Sequence, residues 1–148
     1  MPIPQLSVFL DNRPGSMSEV MKSLEGGKIK ILALSIADSG EFGLARIIVD
    51  EPERALAILE DAQFMLAKSR RNTEVTAVLI REQDRISEIA EILGDNRINI
   101  DYAYLSAGCT HENHVLIMRL TDAERAEKTL KENNVNVLAP SEIKQYLH

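Results

Sequence analysis

The chain repeats itself, and this repeat constrains the fold more than any single motif does. Side chains of the same character recur at a constant spacing along the sequence. The pairs Val20 and Ile89, Leu24 and Leu93, and Ile29 and Ile98 are each 69 residues apart. Later in each half the spacing becomes 71, as between Leu59 and Leu130. Because one spacing aligns helical stripes, strands and helix ends together, we interpret it as an internal duplication, with modules at residues 1–70 and 71–148.

Each module carries the same order of apolar patterns. The first has strand-like runs at 6–10, 29–37, 43–49 and 64–67, with helical stripes from residue 16 and from residue 52. The second has strand-like runs at 75–80, 98–105, 115–120 and 135–138, with helical stripes from residue 86 and from residue 122. The order β-α-β-β-α-β predicts two ferredoxin-like modules of the α+β class, each an antiparallel sheet with two helices on one face. Ser141 could begin a last short helix carrying Ile143 and Leu147, or the tail could dock loosely.

Charge and composition exclude several classes of protein. The net charge is −6, from 17 basic and 23 acidic residues, so neither nucleic acid nor an anionic membrane is expected as the main partner. The third strands are aliphatic, as at 47–49 and 116–118, and lack the aromatic residues with which an RNA-binding sheet stacks bases. Residues 1–5 do not have the pattern of a signal peptide, and Cys109 is the single cysteine. We therefore expect a cytoplasmic protein.

A polar turn between the first strand and the first helix is the best candidate for a ligand site. It consists of Asp11, Asn12, Arg13, Pro14, Gly15, Ser16 and Met17. Ser16 and Glu19 have capping-box spacing, and Pro14 with Gly15 lets a ligand approach the backbone closely. The unpaired N–H groups at the helix start would favour a carboxylate or phosphate. The alternative is an ordinary strand-to-helix turn that binds nothing.

This turn has the D-x-R-P-G-x-M pattern and, within a duplicated β-α-β-β-α-β unit, resembles the ACT-domain family of amino-acid-binding regulatory modules. Residues 98–104, with the sequence Ile-Asn-Ile-Asp-Tyr-Ala-Tyr, are similar to the second strand of that family. The resemblance covers residues 5–139 and is strongest to stand-alone tandem ACT proteins, which carry no catalytic domain. It implies a non-enzymatic regulatory protein whose effector is a free amino acid.

The resemblance also implies an arrangement and a site. Two modules would lie side by side, second strand against second strand, and form one eight-stranded sheet. The effector would bind between the turn residues Asp11, Asn12, Arg13, Pro14, Gly15, Ser16 and Met17 and the strand residues Asn99, Asp101 and Tyr102. The helix start suits an α-carboxylate, while Asp11 and the Asn12 amide suit an α-ammonium group.

The corresponding position of the second module departs from the family pattern. The 69-residue spacing places Arg81, Glu82, Gln83, Asp84 and Arg85 there, facing Lys30, Leu32 and Ala33. Gln83 and Asp84 replace Pro14 and Gly15, so long side chains crowd the turn. We expect one strong site per chain, and whether the second position is occupied stays open at this stage.

Other constellations are weaker. Cys109, His111 and His114 could supply ligands to Zn²⁺ or Ni²⁺, but they fall at the tip of a predicted hairpin, where a solvated loop is the simpler interpretation. No cofactor or metal is therefore expected. No catalytic set is recognisable either. The enzyme alternative for this fold is an acylphosphatase in which Arg13 cradles phosphate.

Both faces of the predicted sheets are apolar. On the second strand, Leu32, Leu34 and Ile36 alternate with Ile31 and Ala33. Helices cover only one face, so we expect a partner on the other, and a homodimer is the simplest. The alternative is a module that docks on a metabolic enzyme through this face and binds no ligand.

Overall fold

The computed structural model describes residues 2–38, 40–67, 74–81, 85–107 and 113–147. The chain divides into two compact units. The first unit comprises residues 4–73, and the second comprises residues 1–3 together with 74–148. No helix formed by the described residues is long and apolar enough to cross a membrane.

The first unit has the predicted β-α-β-β-α-β order. The chain starts with a short strand, β1 (Ile3–Pro4), which belongs to the sheet of the second unit. The elements of the first unit are β2 (Leu6–Asp11), α1 (Ser16–Gly26), β3 (Ile31–Asp38), β4 (Phe42–Val49), α2 (Pro52–Asp61) and β5 (Met65–Leu66). They form a four-stranded antiparallel sheet in the order β3-β4-β2-β5. Val8 of β2 lies opposite both Ala45 and Leu66.

The second unit repeats this order and adds to it. Its elements are β6 (Glu74–Ile80), α3 (Arg85–Asp95), β7 (Ile100–Ala107), β8 (His114–Leu120), α4 (Ala123–Glu132), β9 (Asn136–Leu138) and α5 (Ile143–Tyr146). The five-stranded sheet has the order β1-β6-β8-β7, with β9 also paired to β6. Val78 of β6 lies opposite Leu116 and Val137. The N-terminal strand β1 was not predicted from the sequence.

The prediction of one eight-stranded sheet is wrong. The described strands form two separate sheets, in which β3 pairs with β4 and β7 pairs with β8. Both strands therefore end their sheets as edge strands. Strand pairing uses backbone N–H and C=O groups that nearly every residue carries, so the apolar pattern could not specify which edges meet.

The duplication extends to irregular features of the backbone. Leu32 interrupts the pairing of β3 with β4, and Asp101 interrupts that of β7 with β8, each as a one-residue bulge. The two bulged residues are 69 positions apart. Two residues after the end of each helix that precedes a strand, the backbone is left-handed; these residues are Lys28, Gln63, Arg97 and Asn134, with φ between 58° and 65°.

An arginine in each unit joins its two helices in the same way. Arg54 donates to the carbonyl of Gly27 and pairs with Glu51 at 3.0 Å. Arg125 donates to the carbonyl of Asn96 at 2.8 Å and pairs with Asp122 at 3.3 Å. In both units the guanidinium satisfies a carbonyl just beyond the end of the first helix, which has no intrahelical partner.

Each unit has its own core between the helices and one face of the sheet. In the first unit Val8, Leu24, Ile47 and Leu59 are fully buried, and in the second Val78, Leu93, Met118 and Leu130 are. Burying one such side chain stabilises the fold by about 1.5–3 kcal/mol. The apolar stripes predicted from the sequence periodicity are therefore the surfaces that pack into these cores.

The sheet faces turned away from these cores are also buried in part. Ile48 alternates with Ile47 and points to the opposite face, yet only 1% of its surface is exposed. Ala77, Val115 and Ile117 in the second sheet are also fully buried. The single chain therefore already buries much of the apolar surface for which a partner was expected. The large apolar side chains that remain exposed are Phe9, Leu34, Ile36, Phe42, Met65 and Leu105.

The C-terminal tail forms the predicted short helix α5. Ile143 and Leu147 are 3% and 1% exposed, so the tail is firmly docked. Glu142 rather than Ser141 is the N-cap residue, and its carboxylate accepts a hydrogen bond from the backbone N–H of Ala139 at 2.9 Å.

Candidate functional site

The turn between β2 and α1 is closed around one carbonyl oxygen. The carbonyl of Asp11 accepts hydrogen bonds from the backbone N–H of Arg13 at 2.8 Å and from the hydroxyl of Ser16 at 2.7 Å. Ser16 is the first residue of α1 and is 6% exposed. These two bonds draw the chain back on itself and hold the start of the helix against the end of the strand.

The expected capping box does not form. Gly15 is the N-cap residue of α1, and no side chain caps the helix. The hydroxyl of Ser16 points back to Asp11, and the carboxylate of Glu19 accepts from Arg13 at 3.1 Å and 3.2 Å. As a result, the backbone N–H groups of Met17 and Ser18 have no hydrogen-bond partner among the described residues.

Gly15 has a backbone conformation that favours glycine. Its φ is +91°, in the left-handed region, and a Cβ placed there would have nothing within 4 Å. The residue is therefore required by its backbone angle and not by crowding. The open space above it leaves the backbone at the helix start accessible to a ligand.

Two carboxylates share one guanidinium at the turn. The guanidinium of Arg13 lies 3.6 Å from a carboxylate oxygen of Asp11 and 3.1 Å from one of Glu19. All three side chains are at least half exposed, so each ion pair contributes at most about 1 kcal/mol to stability. Asn12 is also exposed. The turn thus presents two carboxylates, one shared cation and free backbone donors.

The strand residues of the predicted site lie at the start of β7. Asn99 precedes the strand, and its side-chain amide donates to the carboxylate of Asp101 at 2.9 Å. The backbone N–H of Asn99 donates to the hydroxyl of Thr121 at 3.1 Å. Asp101 is the bulge residue, and Tyr102 after it lies opposite Arg119. The structure therefore brings the Asn99 amide and the Asp101 carboxylate together as an exposed hydrogen-bonded pair.

The predicted site residues fall in both units. Asp11 to Met17 lie in the first unit, and Asn99, Asp101 and Tyr102 lie in the second. Within each unit the predicted residues are neighbours. The bulge that sets the orientation of Asp101 was not predicted, because alternation alone gives a regular strand.

The corresponding position of the second module is described only at its ends. Glu82, Gln83 and Asp84 lie outside the described residues. Arg81 is exposed at the end of β6, and Arg85 starts α3 and pairs with Glu88 at 3.2 Å. On the other strand named for this site, Leu32 and Ala33 are 8% and 4% exposed, and the backbone N–H of Lys30 donates to Asp50 at 2.9 Å.

Of the three weak candidates for metal ligands, the structure describes only one. Cys109 and His111 lie outside the described residues. His114 is the first residue of β8, opposite Ile80 and Ala107. Within the described ranges, no three His, Cys, Asp or Glu side chains cluster closely enough to hold a metal ion.

Several solved structures have folds similar to that of this chain. Protein BT0572 from Bacteroides thetaiotaomicron is 28% identical and superposes with a TM-score of 0.87 over 97% of this chain and 96% of that chain. The ligand-free regulatory subunit of aspartate kinase from Thermus thermophilus is 17% identical, with a TM-score of 0.59 over 86% of this chain and 87% of that chain. The regulatory subunit from Thermus flavus is 15% identical, with a TM-score of 0.56 over 87% and 90%. At these lower identities the likeness concerns the fold. No curated protein matches the chain.

The profile of the ACT domain pair family matches residues 1–147. This range contains both β-α-β-β-α-β units, the turn at Asp11 to Met17 and the strand residues of β7. The match agrees with the duplication seen in the bulges and the arginine contacts. The chain therefore belongs to the ACT domain pair family.

Proposed function

We propose that this protein is a regulatory protein whose effector is a free amino acid bound at the turn from Asp11 to Met17. The observation that carries the proposal is that the backbone N–H groups of Met17 and Ser18, next to the open Gly15, find no acceptor in the part of the chain that the structure describes. Membership of the ACT domain pair family supports the regulatory role, and the likeness in fold to aspartate kinase regulatory subunits agrees with it.

The groups at the turn match the two charged ends of an amino acid. The α-carboxylate would accept hydrogen bonds from the backbone N–H groups of Met17 and Ser18, where the helix dipole also favours negative charge. The carboxylate of Asp11 and the amide oxygen of Asn12 would accept from the α-ammonium group. A ligand with only one of these charges would leave half of the groups unmatched, which gives selectivity.

The family resemblance also assigns Asn99, Asp101 and Tyr102 to effector binding, and the proposal includes them. Asp101 carries a negative charge at an exposed bulge, and Asn99 holds its carboxylate in place through a hydrogen bond of 2.9 Å. A bulge reorients a side chain relative to its strand, which suits a residue that reaches a ligand. Binding would regulate by stabilising one arrangement of the protein over another.

A thermal-shift screen against the standard amino acids tests the proposal. One or a few amino acids should raise the melting temperature in proportion to occupancy. Gly15→Val should abolish that shift, because its side chain would fill the space above the helix start. Gly40→Val is the matched control, since Gly40 also has a positive φ, of +85°, and open space around its Cβ position.

Two outcomes would contradict the proposal. If no amino acid stabilises the protein, the effector assignment fails. If the amino acid raises the melting temperature of Gly15→Val as much as that of Gly40→Val, the ligand binds elsewhere. Both variants should lose stability by a similar amount of about 1–2 kcal/mol from left-handed strain, so their comparison separates binding from folding.

The acylphosphatase alternative has little support in the geometry. Its phosphate would need the guanidinium of Arg13, which is already paired with Asp11 and Glu19. An incoming phosphate would meet both of these carboxylates, and like charges repel. Turnover of an acyl phosphate that is lost in Arg13→Gln would support the alternative, and its absence would remove it.

We also propose self-association through the edge of β3. This strand ends its sheet, and two of its apolar side chains, Leu34 and Ile36, are 43% and 56% exposed. A free edge beside exposed apolar side chains favours addition of another strand. If two copies pair antiparallel about Ser35, Leu34 of one copy lies opposite Ile36 of the other. The partner proposed here is a second copy, and a metabolic enzyme is the competing partner.

A further inference from the structure

The free edges of the two sheets have the same geometry. Each sheet formed by the described strands ends in an eight-residue edge strand, β3 in the first unit and β7 in the second. Each of these strands has a one-residue bulge, at Leu32 in β3 and at Asp101 in β7. The two bulges are 69 residues apart, so they occupy equivalent positions of the repeat. The bulge alone therefore does not distinguish one edge from the other.

Both edge strands also carry exposed apolar side chains. On β3, Leu34 and Ile36 are 43% and 56% exposed. On β7, Ala103 is exposed and Leu105 is 45% exposed. Ala103 follows Leu34 by 69 residues, and Leu105 follows Ile36 by the same spacing. A free edge beside exposed apolar side chains favours addition of another strand, so this pattern favours pairing at β7 as well as at β3.

The two edge strands differ in charge at the bulge. Residues 31–37 of β3 include no charged side chain, whereas the equivalent residues 100–106 of β7 include one, Asp101. Leu32 is buried, with 8% of its surface exposed. Asp101 is exposed and accepts a hydrogen bond from the side-chain amide of Asn99 at 2.9 Å, and it has no ion-pair partner among the described residues. The β7 edge thus carries an uncompensated negative charge where the β3 edge has a buried apolar side chain.

A strand added to β7 would remove water from this carboxylate. If two copies paired antiparallel about Tyr104, which is equivalent to Ser35, Leu105 of one copy would lie opposite Ala103 of the other. Asp101 would then lie within the paired length of the strand. β7 contains no basic residue, so the second strand would bring no cation to the carboxylate. Removing water from a carboxylate without supplying an opposite charge opposes pairing, and charged side chains at edge strands commonly prevent it.

We propose that Asp101 prevents copies of this chain from pairing through the β7 edge. Two open edges per chain would let copies join one after another, whereas one open edge limits assembly to a dimer. The limit to a dimer rests on the pairing through β3 proposed above. The effect of Asp101 at β7 depends neither on that pairing nor on binding of an amino acid.

The test removes the charge of Asp101 in a chain whose β3 edge already carries one. Ile36→Glu opposes pairing through β3, so the association that remains must use another surface. In this background, and without added amino acid, we expect Asp101→Leu to lower the dimerisation Kd at least about tenfold, as measured by analytical ultracentrifugation. Leucine is the residue of the first module at this position. Glu91→Leu is the matched control, because it removes an exposed carboxylate from α3 of the same unit, and it should leave the Kd unchanged.

Two further measurements locate the contact. Hydrogen exchange of the backbone amides of β7 should become slower when Asp101→Leu associates. Asp101→Asn keeps the size of the side chain and removes its charge, so it should also lower the Kd, and it provides the same test if the leucine variant does not fold. An unchanged Kd in both Asp101 variants, or an equal decrease in Glu91→Leu, would overturn the proposal. Association of Asp101→Leu without slower exchange in β7 would overturn it as well.

Discussion

Arg125 is an exposed side chain that joins the two long helices of the second unit. Its guanidinium donates to the carbonyl of Asn96 beyond the end of α3 and pairs with Asp122 at the start of α4. We expect Arg125→Gln to lower the free energy of unfolding by about 0.5–1.5 kcal/mol, because a carbonyl at a helix end loses its donor. Urea unfolding measures this, with the exposed Lys128→Gln on the same helix as control. An equal loss in both variants would contradict a specific role.

Thr76 and Glu127 form a buried hydrogen bond between β6 and α4. The hydroxyl of Thr76 donates to the carboxylate at 3.1 Å, and Glu127 is only 4% exposed. Thr76→Val keeps the shape of the side chain and removes the donor, so we expect a loss of about 1–3 kcal/mol. Chemical denaturation should show this loss, while Thr129→Val, on the half-buried side of α4, should cost less. A neutral Thr76→Val would mean that the carboxylate needs no donor there.

Single residues at the turn show where sequence reasoning stops. The spacing of Ser16 and Glu19 predicts a capping box, but both side chains have competing partners. The carbonyl of Asp11 takes the hydroxyl of Ser16, and the guanidinium of Arg13 takes the carboxylate of Glu19. The partner of each side chain depends on distances in the folded protein, which the spacing of residues along the sequence does not give. Gly15 was predicted to let a ligand approach the backbone, and its positive φ is a separate reason for glycine that the structure adds.

At the scale of elements, β3 provides the test of self-association. We expect Ile36→Glu to shift the protein from dimer to monomer, because charges on a free edge oppose strand addition. Light scattering after size-exclusion chromatography measures the mass. Met65→Glu is the control, since Met65 is 67% exposed on β5, the opposite edge of the same sheet. A wild-type monomer, or a dimer that persists in Ile36→Glu, would contradict pairing through β3.

The long elements could be predicted because their apolar periodicity is strong. Helix α1 and strand β4 both begin and end within a residue or two of the predicted positions. The two-residue strands β1 and β5 carry almost no pattern, so β1 was missed and β5 is shorter than predicted. The bulges at Leu32 and Asp101 were also missed, since a bulge breaks the alternation on which strand prediction depends.

At the scale of the whole molecule, the repeat at a spacing of 69 predicted two units of one fold, and the structure has them. The single eight-stranded sheet came from the family resemblance and is wrong for this chain. The residues of the proposed ligand site were predicted from the turn motif and from the family resemblance.

Ile3 links the start of the chain to the stability of the second unit. It belongs to β1 in the sheet of β6 and is 2% exposed. We expect Ile3→Ala to cost about 2–5 kcal/mol through the cavity it leaves. Hydrogen exchange should show the loss of protection in β6 and not in β2, and Pro2→Ala serves as control. Weaker protection in β2 instead would show that Ile3 stabilises the first unit.

The position of β1 has a consequence for how the protein can be synthesised and divided. The strand precedes the whole first unit in the sequence and its pairing partner β6 follows that unit, so this contact has a large sequence separation and forms late. A gene cut at the repeat boundary would not give equal halves. The fragment from residue 74 onward would lack β1 and would expose part of the β6 edge to aggregation.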